Sequence, residues 1–347
     1  MEVGTGSPKV GFRADLDGLP VEEENAVPYR SQVPGMMHAC GHDAHAAIAV
    51  GIAQVLTELT DLPGSVRIVF QPAEEQLPSG AIALCDEGAT AGVHSFLAYH
   101  VDPALEAGKV GLRVGPITSA SNKIEITLRG PGGHTSRPHR TVDLVNVAGR
   151  VVTDLPVRLR EAIDPRHAVV LVFGKIAGGT ADNAIPTMVG MGGTLRVLDT
   201  DLWRTLPKLV DQALGEIVNP YGATAALDYF QGAPPVDNHA GVIESVRVAA
   251  TEWLGRDSAV STHQSLGSED FSWFIQDTPG AMVRLGAALP DRTVDLHSAT
   301  FDIDESAIET GILVGAASLL RMLEPERPVE HLIARSFDAG ETPGEPG

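Results

Sequence analysis

Cysteine is scarce, two residues in 347. Two thiols cannot build a disulfide framework, and that usage suits a reducing compartment, so a cytoplasmic protein is expected. Basic charge is scarce too: 25 Lys and Arg stand against 45 Asp and Glu, a formal net charge of −20. Binding a phosphate backbone needs clustered cations. The chain shows no such cluster, so neither nucleic acid nor an anionic membrane is an expected partner. Long apolar runs are missing as well. The longest small-apolar stretch, residues 44–56, is too short and too alanine-rich to span a bilayer and reads as a buried helix. The opening MEVGTGSPKVGFRADLDG has neither the basic nor the apolar region of a secretory signal. Two catalytic signatures are absent: G-x-S-x-G of serine hydrolases, and the H-x-E with P-C-x-x-C of zinc deaminases. No internal repeat stands out.

The stretch that organises the chain is PGMMHACGHDAHAAIAV, residues 34–50. Cys40 and His42 stand two apart, with His38, Asp43 and His45 close by, just before a helix-like run. Thiolate, imidazole and carboxylate are the side chains that bind borderline-soft transition metals. The bland alternative is a buried thiol, two core histidines and a helix cap.

At 347 residues, with 43% apolar residues, the chain exceeds the size of a single core, so two domains are expected. A short strand at 10–12 leads into RADLDGLP, where Asp15 and Asp17 read as ligands, as carboxylates that orient a ligand, or as turn formers. A helix is expected over 43–59 and a strand over 65–70, which runs into QPAEE with Glu74 and Glu75. In an exposed loop such a pair would simply be solvated. Directly after a buried strand, neighbouring side chains point in different directions, so one carboxylate can ligate an ion while the other faces its water. A further strand, 93–99, is expected to end at His100. Cys40, Glu75 and His100 then all stand at element ends, which an open sheet gathers along one edge.

After Gly115 the pattern changes. Strands are expected at 122–129, 167–176, 187–197 and 223–230, and helices at 141–160, interrupted at Pro156, and at 201–218. That order, βαββαβ, is the signature of a two-layer ferredoxin-like domain. Its glycine-rich loops carry His134, His139 and Asn183. Helix and strand signals resume at 241–254, 281–285 and 305–322, separated by GSEDFSWF and by LHSATFD with His297. The expected division is a catalytic domain in two parts, 1–117 and 232–325, an inserted domain at 118–231, and a disordered tail at 326–347.

RADLDGLP, MHACGHDAH, the strand with QPAEE, His100, GGHTSRPH, NAIP, GGTLR, GSEDFS and LHSATFD together resemble the ordered motif series of the M20 metallopeptidases. The likeness is to their amidohydrolase branch: N-acyl-amino-acid amidohydrolases, hippurate hydrolases and indole-acetyl-amino-acid hydrolases. The series spans roughly residues 4–310. The resemblance implies an α/β fold, with a mixed-sheet catalytic domain of zinc-peptidase type and the ferredoxin-like insert as lid and dimerisation domain. It implies two divalent ions (zinc, manganese, cobalt or nickel) held by Cys40, His42, Glu75, His100 and His297, with Asp15 orienting a ligand. Glu74 would be general base and acid toward a metal-bound water. His134, commonly supplied by the partner subunit of a homodimer, would donate to the scissile carbonyl oxygen. Asn183 and Arg196 would hold the carboxylate of a small N-acyl amino acid.

Family members usually carry several tens of residues before RAD, whereas this chain starts almost there. Loss of a covering helix from the sheet is therefore an expectation. The alternative to an amide hydrolase is a truncated, inactive relic of the family that binds a ligand or partner without turnover.

Overall fold

The computed structural model describes residues 1–324. The tail expected at 326–347 lies outside the described residues, as does the last residue of the second catalytic part. The chain divides into two compact units. Among the described residues, one comprises 1–117, 236–263 and 270–324; the other comprises 118–235 and 264–269. The insert thus ends at Pro235, and Gln264–Glu269 groups with it, a discontinuity that motif order alone does not reveal.

The first unit is built on a seven-stranded mixed sheet in the order Glu2–Gly4, Ser65–Gln71, Lys9–Asp15, Ser95–Glu106, Gly280–Ala288, Val110–Leu112, Ala259–Ser261. The four longest strands are adjacent and mutually parallel, while Glu2–Gly4 and Val110–Leu112 each pair antiparallel with a neighbour. Parallel strands need cover on both faces, and these have it. On one face Val10, Phe12, Ile68, Leu97, Tyr99 and Val283 pack in a core with the helices His42–Glu58, Ala240–Leu254 and Ser306–Leu323. On the other, Val69, Phe96, Ala98 and Met282 meet Phe271 and Phe274 of a short 3-10 helix. The expected loss of cover is not seen in these strands.

Ser306–Leu323 is the one helix among the described residues long and apolar enough to cross a membrane, yet most of it is buried inside this unit. Its Gly311 and Gly315 let it approach closely: a Cβ at either would stand 2.6 or 2.5 Å from Cδ1 of Ile48 or Ile52 on helix His42–Glu58. Helix His42–Glu58 is thereby seated against helix Ser306–Leu323, and both pack on the same face of the sheet.

The strand expected to end at His100 continues to Glu106 and leaves His100 inside it, opposite Arg284. Pro103 suggests a stop. It is tolerated because it lies where the ladder to Gly280–Ala288 slips register, so that no N–H is missed.

The second unit is a four-stranded antiparallel sheet, Thr224–Phe230, Ala120–Arg129, Met188–Val197, Val169–Gly178, with helices Leu144–Ala162 and Thr200–Val218 between its strands. This is the expected βαββαβ order. Both helices bury a stripe at helical spacing, Leu144, Val147, Ala148, Val151, Leu155 and Leu159 in the first. Each is capped by an aspartate, Asp143 accepting from Asn146 N–H and Asp199 from Leu202 N–H. The first runs through Pro156 without the expected interruption.

Candidate metal centre

The C-terminal ends of the parallel strands present the chemistry. Cys40, Gly41 and His42 form the turn into helix His42–Glu58. Gly41 has φ 81°, and a Cβ there would stand 2.5 Å from Val101 Cγ2, so only glycine lets thiol and imidazole flank the turn this closely. Strand Lys9–Asp15 delivers Asp15, and strand Ser65–Gln71 leads into the loop of Glu74 and Glu75.

Ligand atoms of Cys40, Glu75 and His297 lie within 4.8 Å of one another, and so do those of His42, Glu74 and Glu75. His297 Nε2 is 3.0 Å from Glu75 Oε1, and His100 Nε2 is 3.4 Å from Cys40 Sγ. The five candidate ligands and the candidate base therefore share one site. The backbone strains there as well. Ala73 (φ 55°) and His297 (φ 64°) are the two non-glycine residues with positive φ among the described residues, one preceding Glu74 and the other a ligand candidate. His297 N–H donates to Ala39 O at 2.7 Å, which ties it to the Cys40 turn.

Hydrogen bonds distinguish ligands from supports. His100 donates Nδ1–H to Val101 O (2.8 Å), which leaves the Nε2 lone pair facing Cys40. Burial, then Arg284 and His45, push its pKa well below the usual value, so the ring is neutral. His45 has both nitrogens engaged: Nδ1–H donates to Asp15 Oδ1 (2.6 Å) and Nε2 accepts from Val101 N–H (3.0 Å). Although Asp15, His42 and His45 are close enough to share an ion, His45 has no lone pair left for one. It supports the site. Asp15 also accepts from Arg13 (2.7 Å). Burial alone would raise its carboxyl, but Arg13 and His45 outweigh that and hold it well below its ordinary value.

His42 is different. Its ring is buried, and neither nitrogen has a hydrogen-bond partner; Asp17 Oδ1 stands 3.3 Å from Nδ1 and is itself unpartnered. Burial lowers the His42 pKa, but Asp17 and Asp15 outweigh it and the net shift is upward. Burial likewise raises Asp17, while His42 and the backbone N–H groups of Glu75 and Glu74 prevail and hold it at about 2. The Cys40 thiol is pushed far up by burial and then by Glu75, Glu74 and Asp15. A buried thiol among carboxylates and an unpartnered imidazole are costly as they stand. A divalent ion reverses each cost, deprotonating the thiol and engaging the ring. The donor set fits a pair of such ions.

In the inserted unit, Gly133–His134 pairs antiparallel with Ala184–Ile185, and Thr135 N–H donates to Asn183 O (3.2 Å), so His134 and Asn183 are neighbours. His134 Nδ1 accepts from Ser136 N–H at 3.1 Å, which places the proton on Nε2, the form that can donate. Arg196, on strand Met188–Val197, donates to Leu266 O at 2.6 Å. That bond uses one of its five N–H groups.

Residues 11–321 match the family model described as peptidase family M20/M25/M40. The chain belongs to that family. Among relatives, a provisionally named glutamate–cysteine ligase of Rhodococcus jostii is 43% identical over 304 residues, 87% of this chain, which spans only 38% of that longer protein. The N-acetylcysteine deacetylase of Bacillus subtilis is 33% identical over 302 residues, covering 87% of this chain and 78% of that protein. Solved structures are similar as well. A provisionally named aminohydrolase of methicillin-resistant Staphylococcus aureus has TM-score 0.84 at 28% identity, over 94% of this chain and 84% of that one. The YXEP protein of Bacillus subtilis, described as a dinuclear metal-binding peptidase of the M20 family, has TM-score 0.79 at 30% identity, over 93% and 84%. As an M20 protein of the amidohydrolase branch, the chain is a hydrolase acting on amides, in a family that binds two divalent ions.

The sequence left Asp17 open as a ligand, a carboxylate that orients a ligand, or a turn former, and gave no sign of Arg13, Gln71 and Ser79, because an arginine or glutamine in a strand and a serine before a helix carry no chemical signature. Asp270 was noticed in GSEDFSWF without a role.

Proposed function

We propose that this chain hydrolyses the amide bond of N-acylated amino acids, releasing a carboxylic acid and the free amino acid. The observation that carries the reading is the buried His42 ring with two unpartnered nitrogens, next to the carboxylates Glu74 and Glu75. Deacetylase activity in the named Bacillus relative supports the substrate class.

Cys40, His42, Glu75, His100 and His297 would hold the two ions, oriented by Asp15 through its contacts around His42 and His45. When bound, such ions act as Lewis acids and lower the pKa of water toward ~7. Glu74 takes a proton from the attacking water and delivers it to the leaving nitrogen. His134, protonated on Nε2, donates to the carbonyl oxygen as charge develops there, a contribution typically of about 3 kcal/mol. Arg196 and Asn183 hold the substrate carboxylate.

In this reading, residues 1–117, 236–263 and 270–324 form the catalytic domain, and the insert, 118–235 with 264–269, forms a lid and homodimer interface. Val169–Gly178 is an edge strand with Val170, Val172 and Ile176 exposed, a surface suited to pairing with a second copy. Two unpaired cysteines support a cytoplasmic location in this reading.

The test is amino-acid release from N-acetyl, N-benzoyl and indole-acetyl amino acids by protein stripped of metal and reloaded with zinc, manganese, cobalt or nickel. Metal-restored release from one class supports the reading and names the acyl group. Silence from folded, metal-loaded protein replaces it with the non-catalytic relic.

A further inference from the structure

The loop that carries Glu74 and Glu75 is closed at its neck by side chains that no part of the reaction uses. Asp270, at the start of the 3-10 helix Asp270–Ile275, is 4% exposed and accepts from both ends of the loop. Gln71 Nε2, on the last residue of the strand before it, reaches Asp270 Oδ1 at 2.8 Å and Oδ2 at 2.7 Å. Ser79 Oγ, capping the helix after it, donates to Asp270 Oδ2 at 2.6 Å. A third tether is backbone: Gly80 N–H donates to Ala73 O at 3.0 Å, and a Cβ on Gly80 would collide with Pro72 O.

Arg13 joins this neck to the ligand side of the site. Its Nε donates to Gln71 Oε1 (2.8 Å), one terminal nitrogen to Asp270 Oδ1 (2.8 Å) and the other to Asp15 Oδ2 (2.7 Å), all with negligible exposure. Asp15 in turn holds His45. One guanidinium therefore spans from the carboxylate beside the His42 turn to the carboxylate that closes the Glu74 loop. Asp17 fixes the loop from its far side, accepting from Glu75 N–H at 3.0 Å.

We propose that Asp270 is a positioning residue. It clamps residues 71 and 79 together so that the strained Ala73 turn aims Glu74 at water and Glu75 at the ligand cluster, with Arg13 setting the distance between loop and ligands. This rests on the roles proposed above for Glu74 and Glu75. A buried, multiply bonded neck under a catalytic loop is how a side chain is held to the tolerance that chemistry requires. A staple that merely stabilised the fold would show its effect throughout the unit. A clamp acts locally, on loop order and on whatever the loop carries.

The experiment compares the metal-loaded full chain with Asp270→Asn, Ser79→Ala and Ser79→Thr. It reads hydrogen exchange of the amides between residues 72 and 80, zinc affinity by chelator competition, and kcat and KM on the best N-acyl amino acid. Expected for Asp270→Asn and Ser79→Ala are faster exchange confined to the loop, zinc affinity weaker by about tenfold, and kcat lower by about 10- to 100-fold with KM nearly unchanged. Ser79→Thr, which keeps the hydroxyl, should restore all three. Ser79→Ala alone decides the matter should Asp270→Asn not fold. Unchanged loop exchange, or a loss of protection spread over the whole unit, overturns the clamp. If the parent chain turns over no substrate, the amide-hydrolase reading fails while exchange and zinc affinity still judge the clamp.

Discussion

Asp15 Oδ1 lies 2.6 Å from Nδ1 of His45, and both side chains are buried. The bond fixes the His45 proton on Nδ1 and leaves Nε2 to accept the Val101 N–H, one residue beyond His100. Asp15→Asn keeps the shape, removes the charge between Arg13 and two histidines, and can turn an amide N–H toward Nδ1. Metal affinity should fall on the order of 10- to 100-fold, the usual effect of losing a partner behind the ligands. Chelator competition measures it, and unchanged affinity would remove Asp15 from that role.

Metal uptake should release protons. Without metal the Cys40 thiol is held protonated by burial and by Glu75, Glu74 and Asp15, and the His42 pKa is raised as well. Ion and proton compete for these groups, so affinity should weaken as pH falls, and loading near pH 8 should release about one proton per chain from Cys40. Titration calorimetry in two buffers of different ionisation enthalpy counts them. Cys40→Ala should lose both the proton and an ion; a fully metallated Cys40→Ala chain would rule out the ligand assignment.

Acid should weaken the metal-free protein through Asp17. Its folded value, about 2, is below the 3.8 of a free aspartate, so its contribution is present above pH ~4 and is lost as pH falls toward 2. Asp17→Asn should show a flatter stability profile than the parent between pH 4 and 2 in urea titrations. Parallel profiles would contradict the assignment.

Glu74→Gln should lower kcat by at least ~100-fold while metal content is retained. Mixing it with His134→Ala tests whether His134 serves a neighbouring copy. If so, mixed dimers regain part of the activity that neither variant has alone. No recovery from dimers verified to be mixed would assign His134 to its own chain.

Much of this was legible in the sequence because the signals were periodic or chemically dense. Alternation and helical stripes set out the βαββαβ unit, and MHACGHDAH announced its candidate ligands by residue type. Other features are purely spatial. Arg13 reads as a strand-surface charge until the fold buries it between Asp15 and Asp270, which come from opposite ends of the chain. His45 looked as able as His42 to bind an ion, and only the Val101 N–H, a backbone donor with no sequence signature, separates them. The grouping of Gln264–Glu269 with the insert depends on a return of the chain that no local pattern encodes. Pro156 misled, since its helix continues past a residue that usually ends one.

The bond from His297 to Ala39 and the seating of Ile48 and Ile52 on Gly311 and Gly315 have a consequence for biosynthesis. Cys40 and His42 leave the ribosome before the insert, while His297 and the helix that props up their turn follow it. A nascent chain therefore carries a thiol and several imidazoles through translation of the whole insert without a closed site to protect them. A ribosome that stops short of Ser306 would release a chain with all five candidate ligands and an unsupported turn to hold them.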